Sequence, residues 1–171
     1  IWSLWGFGAE TLSPQIAIPD PADKFKMITG GLWSSVLTGR CDIFLHQSGM
    51  KYAELLNVIQ FFDIFGATGP LIIQSTQPAD QDTCDLTKLQ LVGADAQVLH
   101  RISRFMRLKR KLIDWTIPEL GLSYRAFGLA SDQSGTEALL LNISHIQRLR
   151  EVLNLPIEAI LAFWSPISTV A

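Results

Sequence analysis

Three times along this chain a helical pattern halts at one apolar residue and restarts at once, and this device constrains the fold more than any other feature. The sharpest instance lies between Arg101 and Leu120, where a basic amphipathic segment ends at Asp114-Trp115-Thr116 and a new helix opens with Ile117-Pro118-Glu119-Leu120. The others are Ser48-Gly49-Met50-Lys51-Tyr52-Ala53-Glu54-Leu55 and Asn154-Leu155-Pro156-Ile157-Glu158-Ala159-Ile160. Met50, Trp115 and Leu155 are therefore expected to plug the corners. Pro118 and Pro156 open the following helices, where a missing amide hydrogen costs nothing. The repeat is imperfect, because the acid shifts by one place in the third copy, and the unequal spacing argues against a regular solenoid.

The rest of the pattern is helical with one interruption. Residues 1–30 mix Gly6, Gly8, Pro14, Pro19 and Pro21 with Trp2, Trp5 and Phe7, which predicts an extended lead-in packed on a neighbour. A helical hairpin is expected over 31–66. Its first helix runs from Leu32 to Gln47 on Trp33, Val36, Leu37, Cys41, Ile43 and Phe44 and closes at Ser48-Gly49; its second uses Tyr52, Leu55, Leu56, Ile59 and Phe62. Over 67–94 the period changes, and Leu71-Ile72-Ile73 and Leu89-Gln90-Leu91 fit either a two-stranded hairpin or a long ordered loop. Residues 95–171 return to helices: one capped by Asp95 that buries Val98, Leu99, Ile102, Phe105, Met106, Leu112 and Ile113, and one from about Thr136 to Asn154 that buries Leu139, Leu140, Ile143, Ile146, Leu149 and Leu153. Pro166 ends the last short helix. The expected class is all-α: antiparallel long helices joined by sharp corners to short ones, plus one irregular insertion.

Composition narrows the function. A length of 171 residues, 48% hydrophobic and 18% charged, suits one globular domain, but 5 Trp and 9 Phe exceed what a freestanding domain needs. Part of the apolar surface is then expected to meet neighbouring protein, and neither Ile1 nor Ser168-Thr169-Val170-Ala171 reads as a natural terminus, so the chain reads as an excerpt. A net charge of −2 argues against general affinity for nucleic acid. No signal peptide is legible, and Asp63, Gly66, Gly69 and Pro70 interrupt the most apolar run before it reaches membrane-spanning length.

Sharper chemistry finds little support. His46, His100 and His145 with Cys41 and Cys84 include no pair at a metal-ligand spacing, and two cysteines this far apart make no disulfide framework. Asp80-Gln81-Asp82 with Asp85 lacks the central glycine and terminal glutamate of a calcium loop and reads as a capped turn. Ser131, Asp132, Ser134 and Gly135 read as a helix-initiating turn rather than a nucleophile elbow. Glu54, Glu119 and Glu158 sit in first helical turns, where the helix dipole already accounts for them. No catalytic, cofactor or metal residues are assigned. Arg101, Arg104, Arg107, Arg110 and Lys111 form the one strongly charged face; with no aromatic residue interleaved, it reads as a source of ion pairs to acids such as Glu137 or Glu151, or to a neighbouring protomer.

Four words in this order resemble the A subunit of the insecticidal toxin complexes (Tc toxins), in the region related to the virulence plasmid A protein. They are Ile43-Phe44-Leu45-His46-Gln47-Ser48-Gly49-Met50-Lys51-Tyr52-Ala53-Glu54-Leu55-Leu56, then Asp82-Thr83-Cys84-Asp85-Leu86, then Arg101-Ile102-Ser103-Arg104-Phe105-Met106-Arg107-Leu108 through Trp115-Thr116-Ile117-Pro118-Glu119-Leu120, and Gln147-Arg148-Leu149-Arg150-Glu151 through Trp164-Ser165-Pro166-Ile167. Lys109 stands where the family carries a large aromatic, and Ile113-Asp114 replaces a glycine-containing step. The resemblance implies a fragment of the α-helical shell of a very large, secreted, pore-forming virulence subunit that assembles as a homopentamer around a channel. Its partners would be other domains of the same subunit and the toxin B and C components. The rival reading, from another class, is an independent helical adaptor that binds nucleic acid or anionic lipid through the Arg101–Lys111 face.

Overall fold

Residues 1–30, expected as an extended lead-in, instead build most of two antiparallel strand pairs, which makes the chain a mixed α/β protein and corrects the all-α assignment. The computed structural model describes residues 1–77, 83–127 and 133–164. After a 3₁₀ turn over Trp2–Trp5, strands β1 (Thr11–Leu12) and β4 (Gly31–Leu32) pair with Thr11 opposite Leu32, while β2 (Ile18–Asp20) pairs with β3 (Asp23–Ile28). The reason is local at one end and distant at the other. Pro21 presets the turn, the Asp20 carboxylate accepts the Ala22 amide at 3.0 Å, and the chain folds back on itself. The β1–β4 pair, by contrast, closes a loop of some twenty residues, and strands this short leave no alternating pattern to read.

The helices are α1 (Trp33–Gly39), α2 (Cys41–Ser48), α3 (Tyr52–Ile59), α4 (Ala96–Lys111), α5 (Ile117–Phe127), α6 (Gln133–Leu153) and α7 (Ile157–Leu161). The single helix expected over Leu32 to Gln47 is thus two helices, broken at Arg40, whose backbone is extended (φ −143°, ψ 118°). Over 67–94 the hairpin forms rather than the loop: β5 (Ile72–Ser75) pairs with β6 (Leu89–Val92), Ile73 opposite Leu91.

The described residues fall into two units, Ile1–Leu108 and Lys109–Ala171. In the first, α1 and α2 lie on β6, and the core gathers Trp5, Phe7, Trp33, Leu37, Phe44, Leu55, Phe65, Leu99, Ile102 and Phe105. Aromatic pairs knit it together: Trp5 with Phe44 at 5.3 Å between ring centroids, and Phe65 edge-on to Phe105 at 5.4 Å. In the second unit α5, α6 and α7 pack on one another around Trp115, Ile117, Leu120, Ile143, Ile146, Ile157 and Ile160.

Several expected core positions are exposed. Ile113 is 86% exposed because α4 ends at Lys111, so the helical period that placed it inward no longer applies. Tyr52 and Leu56 on α3, and Leu140 and Leu153 on α6, are also exposed, which narrows the buried stripe of each helix to Leu55 with Val58 and to Leu139, Ile143 and Ile146. Pro166, expected to end α7, and the turn at Ser131 and Asp132 lie outside the described residues, as do the side chains of Ser134 and Thr136.

Candidate functional site

The corners are built from the caps upward. At the first, α2 ends with Gly49 in the left-handed region (φ 64°), and the Ser48 hydroxyl donates to the Leu45 carbonyl while accepting the Met50 amide, both at 3.2 Å. Met50 is buried, and the Lys51 amide donates to Glu54 Oε2 at 2.8 Å as α3 begins. At the second, Trp115 is buried, the Thr116 amide donates to Glu119 Oε2 at 2.6 Å, and Thr116 Oγ1 accepts the Glu119 amide at 3.2 Å. That is a reciprocal capping box, and Met50 and Trp115 occupy the position just outside the cap that staples onto the fourth helical residue. Those fourth residues, Leu55 and Leu120, are fully buried.

The third corner departs from the other two. Leu155 is 39% exposed, which corrects its expected role as a buried plug. Asn154 supplies the left-handed turn (φ 50°) that glycine supplies at the first corner, and Pro156 is the cap of α7. Here the acid shift acquires a physical reason. A proline cap has no amide hydrogen for a glutamate three residues on to accept, so Glu158 gains nothing from that position and serves the helix dipole one place earlier. Ile160, at the staple's inner position, is still fully buried. Pro118 falls within the first turn of α5 as expected.

Sequence reading did not find the latch on the second corner. The Trp115 indole Nε1 donates to Gln147 Oε1 at 2.7 Å, Gln147 Nε2 donates to Glu151 Oε1 at 2.8 Å, and Arg150 Nη1 donates to the Asp114 carbonyl at 3.1 Å. Gln147, Arg150 and Glu151 follow one face of α6 at helical spacing, a signal present in the sequence but without a partner to point to.

The residues of the basic stripe differ in burial and in partners. Arg101 Nη1 donates to the Phe65 carbonyl at 2.8 Å, closing the end of the 3₁₀ turn Phe62–Phe65 beneath Gly66. Arg104 is half-buried, whereas Arg107, Arg110 and Lys111 are exposed. Arg101, Arg104 and Arg107 belong to the first unit and Arg110 and Lys111 to the second.

A second cluster went unnoticed in the sequence because its members are far apart. Arg40 Nη1 and Nη2 donate to the two oxygens of Asp20 at 2.9 and 2.7 Å, Nε donates to Asp42 Oδ1 at 3.0 Å, and Nη2 also meets Asp42 Oδ2. The guanidinium holds the Asp20 carboxyl down at about 2, against the desolvation that raises it, and the carboxylates push Arg40 higher still. An open depression of about 240 Å³ lies alongside, lined by Ile28, Val36, Arg40 and Ile43. With its forks satisfied by two carboxylates, Arg40 presents no charge to an anionic ligand there.

The remaining chemistry-bearing residues do not converge. His46 and His145 are exposed, His100 is lowered by burial and by Arg104, and both cysteines are free thiols. Among the described residues no three of His, Cys, Asp and Glu stand together as a metal site, and no helix is long and apolar enough to cross a membrane. Asp85 caps a 3₁₀ turn by accepting from the Thr87 amide and hydroxyl, while Asp80 to Asp82 of the calcium reading lie outside the described residues. What the described elements define is a mixed α/β chain of capped helices with three two-stranded antiparallel sheets. No family model, curated protein or solved structure matches the chain.

Proposed function

We propose that this chain is a structural segment of a large pore-forming toxin subunit, lying in a helical shell that supports homo-oligomeric assembly around a channel, with no catalytic role. The reading rests on the resemblance of its ordered sequence words to the insecticidal toxin A subunit. The observation that carries it is the second corner, where Trp115 is buried and bonded to Gln147 while Thr116 and Glu119 cap each other. Those side chains cap α5 and tie Trp115 to α6, and this structural use of the corner is what supports the reading.

The test is the mass of the complete gene product in solution. A polypeptide many times longer than 171 residues that assembles as a pentamer supports the reading. A stop codon soon after Ala171, with a monomeric product, overturns it.

A further inference from the structure

On the β2–β3 hairpin Pro19 faces Met27 and Asp20 faces Asp23, so the register shifts and Lys24, Phe25 and Lys26 have no partner residue on β2. The bulge carries these residues out of the ladder, and Phe25 is 100% exposed. Met27, two residues on, is 49% exposed. Lys24 and Lys26 are both exposed, and neither takes part in an ion pair among the described residues. Asp23 is engaged locally, its carboxylate accepting the Phe25 amide at 3.0 Å. The base of this tip is fixed, because Asp20 is buried and held by both forks of Arg40.

We infer that the Lys24-Phe25-Lys26 bulge is an attachment tip for an anionic phospholipid surface. An aromatic ring flanked by two cations matches the two layers of such a surface: the ring enters the boundary of headgroups and acyl chains, and the ammonium groups remain among the phosphates. At the tip itself two lysines stand against the single carboxylate of Asp23, while at its base the Arg40 guanidinium is shared by Asp20 and Asp42. A lipid surface suits the tip better than a protein groove. Stable protein interfaces need about 800 Å² per partner, far more than one extruded tripeptide offers, whereas a bilayer takes up an isolated protruding residue without shape matching. A rigid hairpin base keeps the ordering cost of insertion low. The inference does not depend on the toxin reading.

The experiment is co-sedimentation of the chain with vesicles of phosphatidylcholine alone and of phosphatidylcholine with phosphatidylserine, at low and high salt. Partition into the serine-containing vesicles is expected, and it weakens as salt rises. Phe25→Ala and the double change Lys24→Glu/Lys26→Glu are each expected to reduce it about tenfold or more. Arg107→Glu, on the exposed side of α4, is expected to leave it unchanged. All these residues are exposed, so unchanged circular dichroism and melting confirm that the variants fold. Equal binding to both vesicle types, retention of binding by Phe25→Ala, or loss with Arg107→Glu in place of the lysine pair each overturns the inference. No partition into either vesicle also overturns it.

Discussion

Trp115 and Gln147, on opposite sides of the α5–α6 connection, are joined by a hydrogen bond of 2.7 Å from the indole nitrogen to the amide oxygen. An indole buried to 3% exposure without that acceptor would leave a donor unpaired, so the residue on α6 makes the aromatic plug tolerable at the corner. Trp115→Ala is expected to cost about 3 to 5 kcal/mol, mostly through the cavity, and Gln147→Leu about 1 to 3 kcal/mol through the orphaned indole. Urea unfolding of the two variants checks both values. A Gln147→Leu variant as stable as the parent would remove the latch from the account.

The capping glutamates should separate by corner. Glu54 and Glu119 each accept the amide of the residue that precedes their helix, so Glu54→Ala and Glu119→Ala are expected to cost about 1 kcal/mol apiece. Glu158 faces a proline cap with no amide hydrogen, and Glu158→Ala is expected to cost less than about 0.5 kcal/mol. Thermal melts of the three variants read the order directly, and an equal loss at all three would contradict it.

Asp20 gives the first unit an acid-side dependence. Its folded pKa, about 2, lies below the ordinary value of 3.8, so its contribution is fully present above the ordinary value and is lost as pH falls through about 2. Asp20→Asn should therefore lower stability at neutral pH and flatten the decline between about pH 4 and pH 2. Stability followed by chemical denaturation at each pH compares the slopes. Parallel curves for parent and variant would show that Arg40 gives Asp20 no linkage.

The two thiols should differ in reactivity. Cys41 is fully buried, and burial, with a smaller push from Asp42, raises its thiol to about 11. Cys84 is exposed. At pH 8 an alkylating reagent is expected to modify Cys84 alone in the native protein and both cysteines in denaturant, a difference that intact mass resolves. Rapid double labelling of the native protein would place Cys41 in a unit that opens readily.

How far the fold was legible depended on how far each residue's partners lay along the chain. Asp95 was readable as a cap, and its carboxylate does accept the Val98 amide at 2.8 Å; Gly49 was readable as a helix stop, and both act within a few residues. The break at Arg40 was not, and the carboxylate that its side chain meets there, Asp20, lies twenty residues earlier. The β1–β4 pair escaped for the same reason, since Thr11 finds its partner at Leu32, whereas the β2–β3 hairpin is local and was obscured by Pro19 and Pro21. At the corners the sequence identified Met50 and Trp115 as plugs but not Gln147, and it treated Leu155 as their equal although the proline after it alters the cap.

Gly66 and Arg101 provide the most demanding test, because they tie a backbone conformation to a charge otherwise available to the basic stripe. Gly66 lies at φ 64°, and a Cβ there would stand 1.9 Å from Arg101 Nη1, the group that donates to the Phe65 carbonyl. Gly66→Ala therefore both enters the left-handed region, at about 1 kcal/mol, and drives the guanidinium off its acceptor, at about 1 to 2 kcal/mol more. Arg101→Met incurs the second loss alone. In the double variant the clash is gone and the bond is already absent, so the two costs should sum to less than their separate values by about 1 kcal/mol or more. A double-mutant cycle by urea unfolding measures that coupling. Strict additivity would mean that Arg101 moves aside at no cost, and that its bond to Phe65 does not hold the end of the 3₁₀ turn.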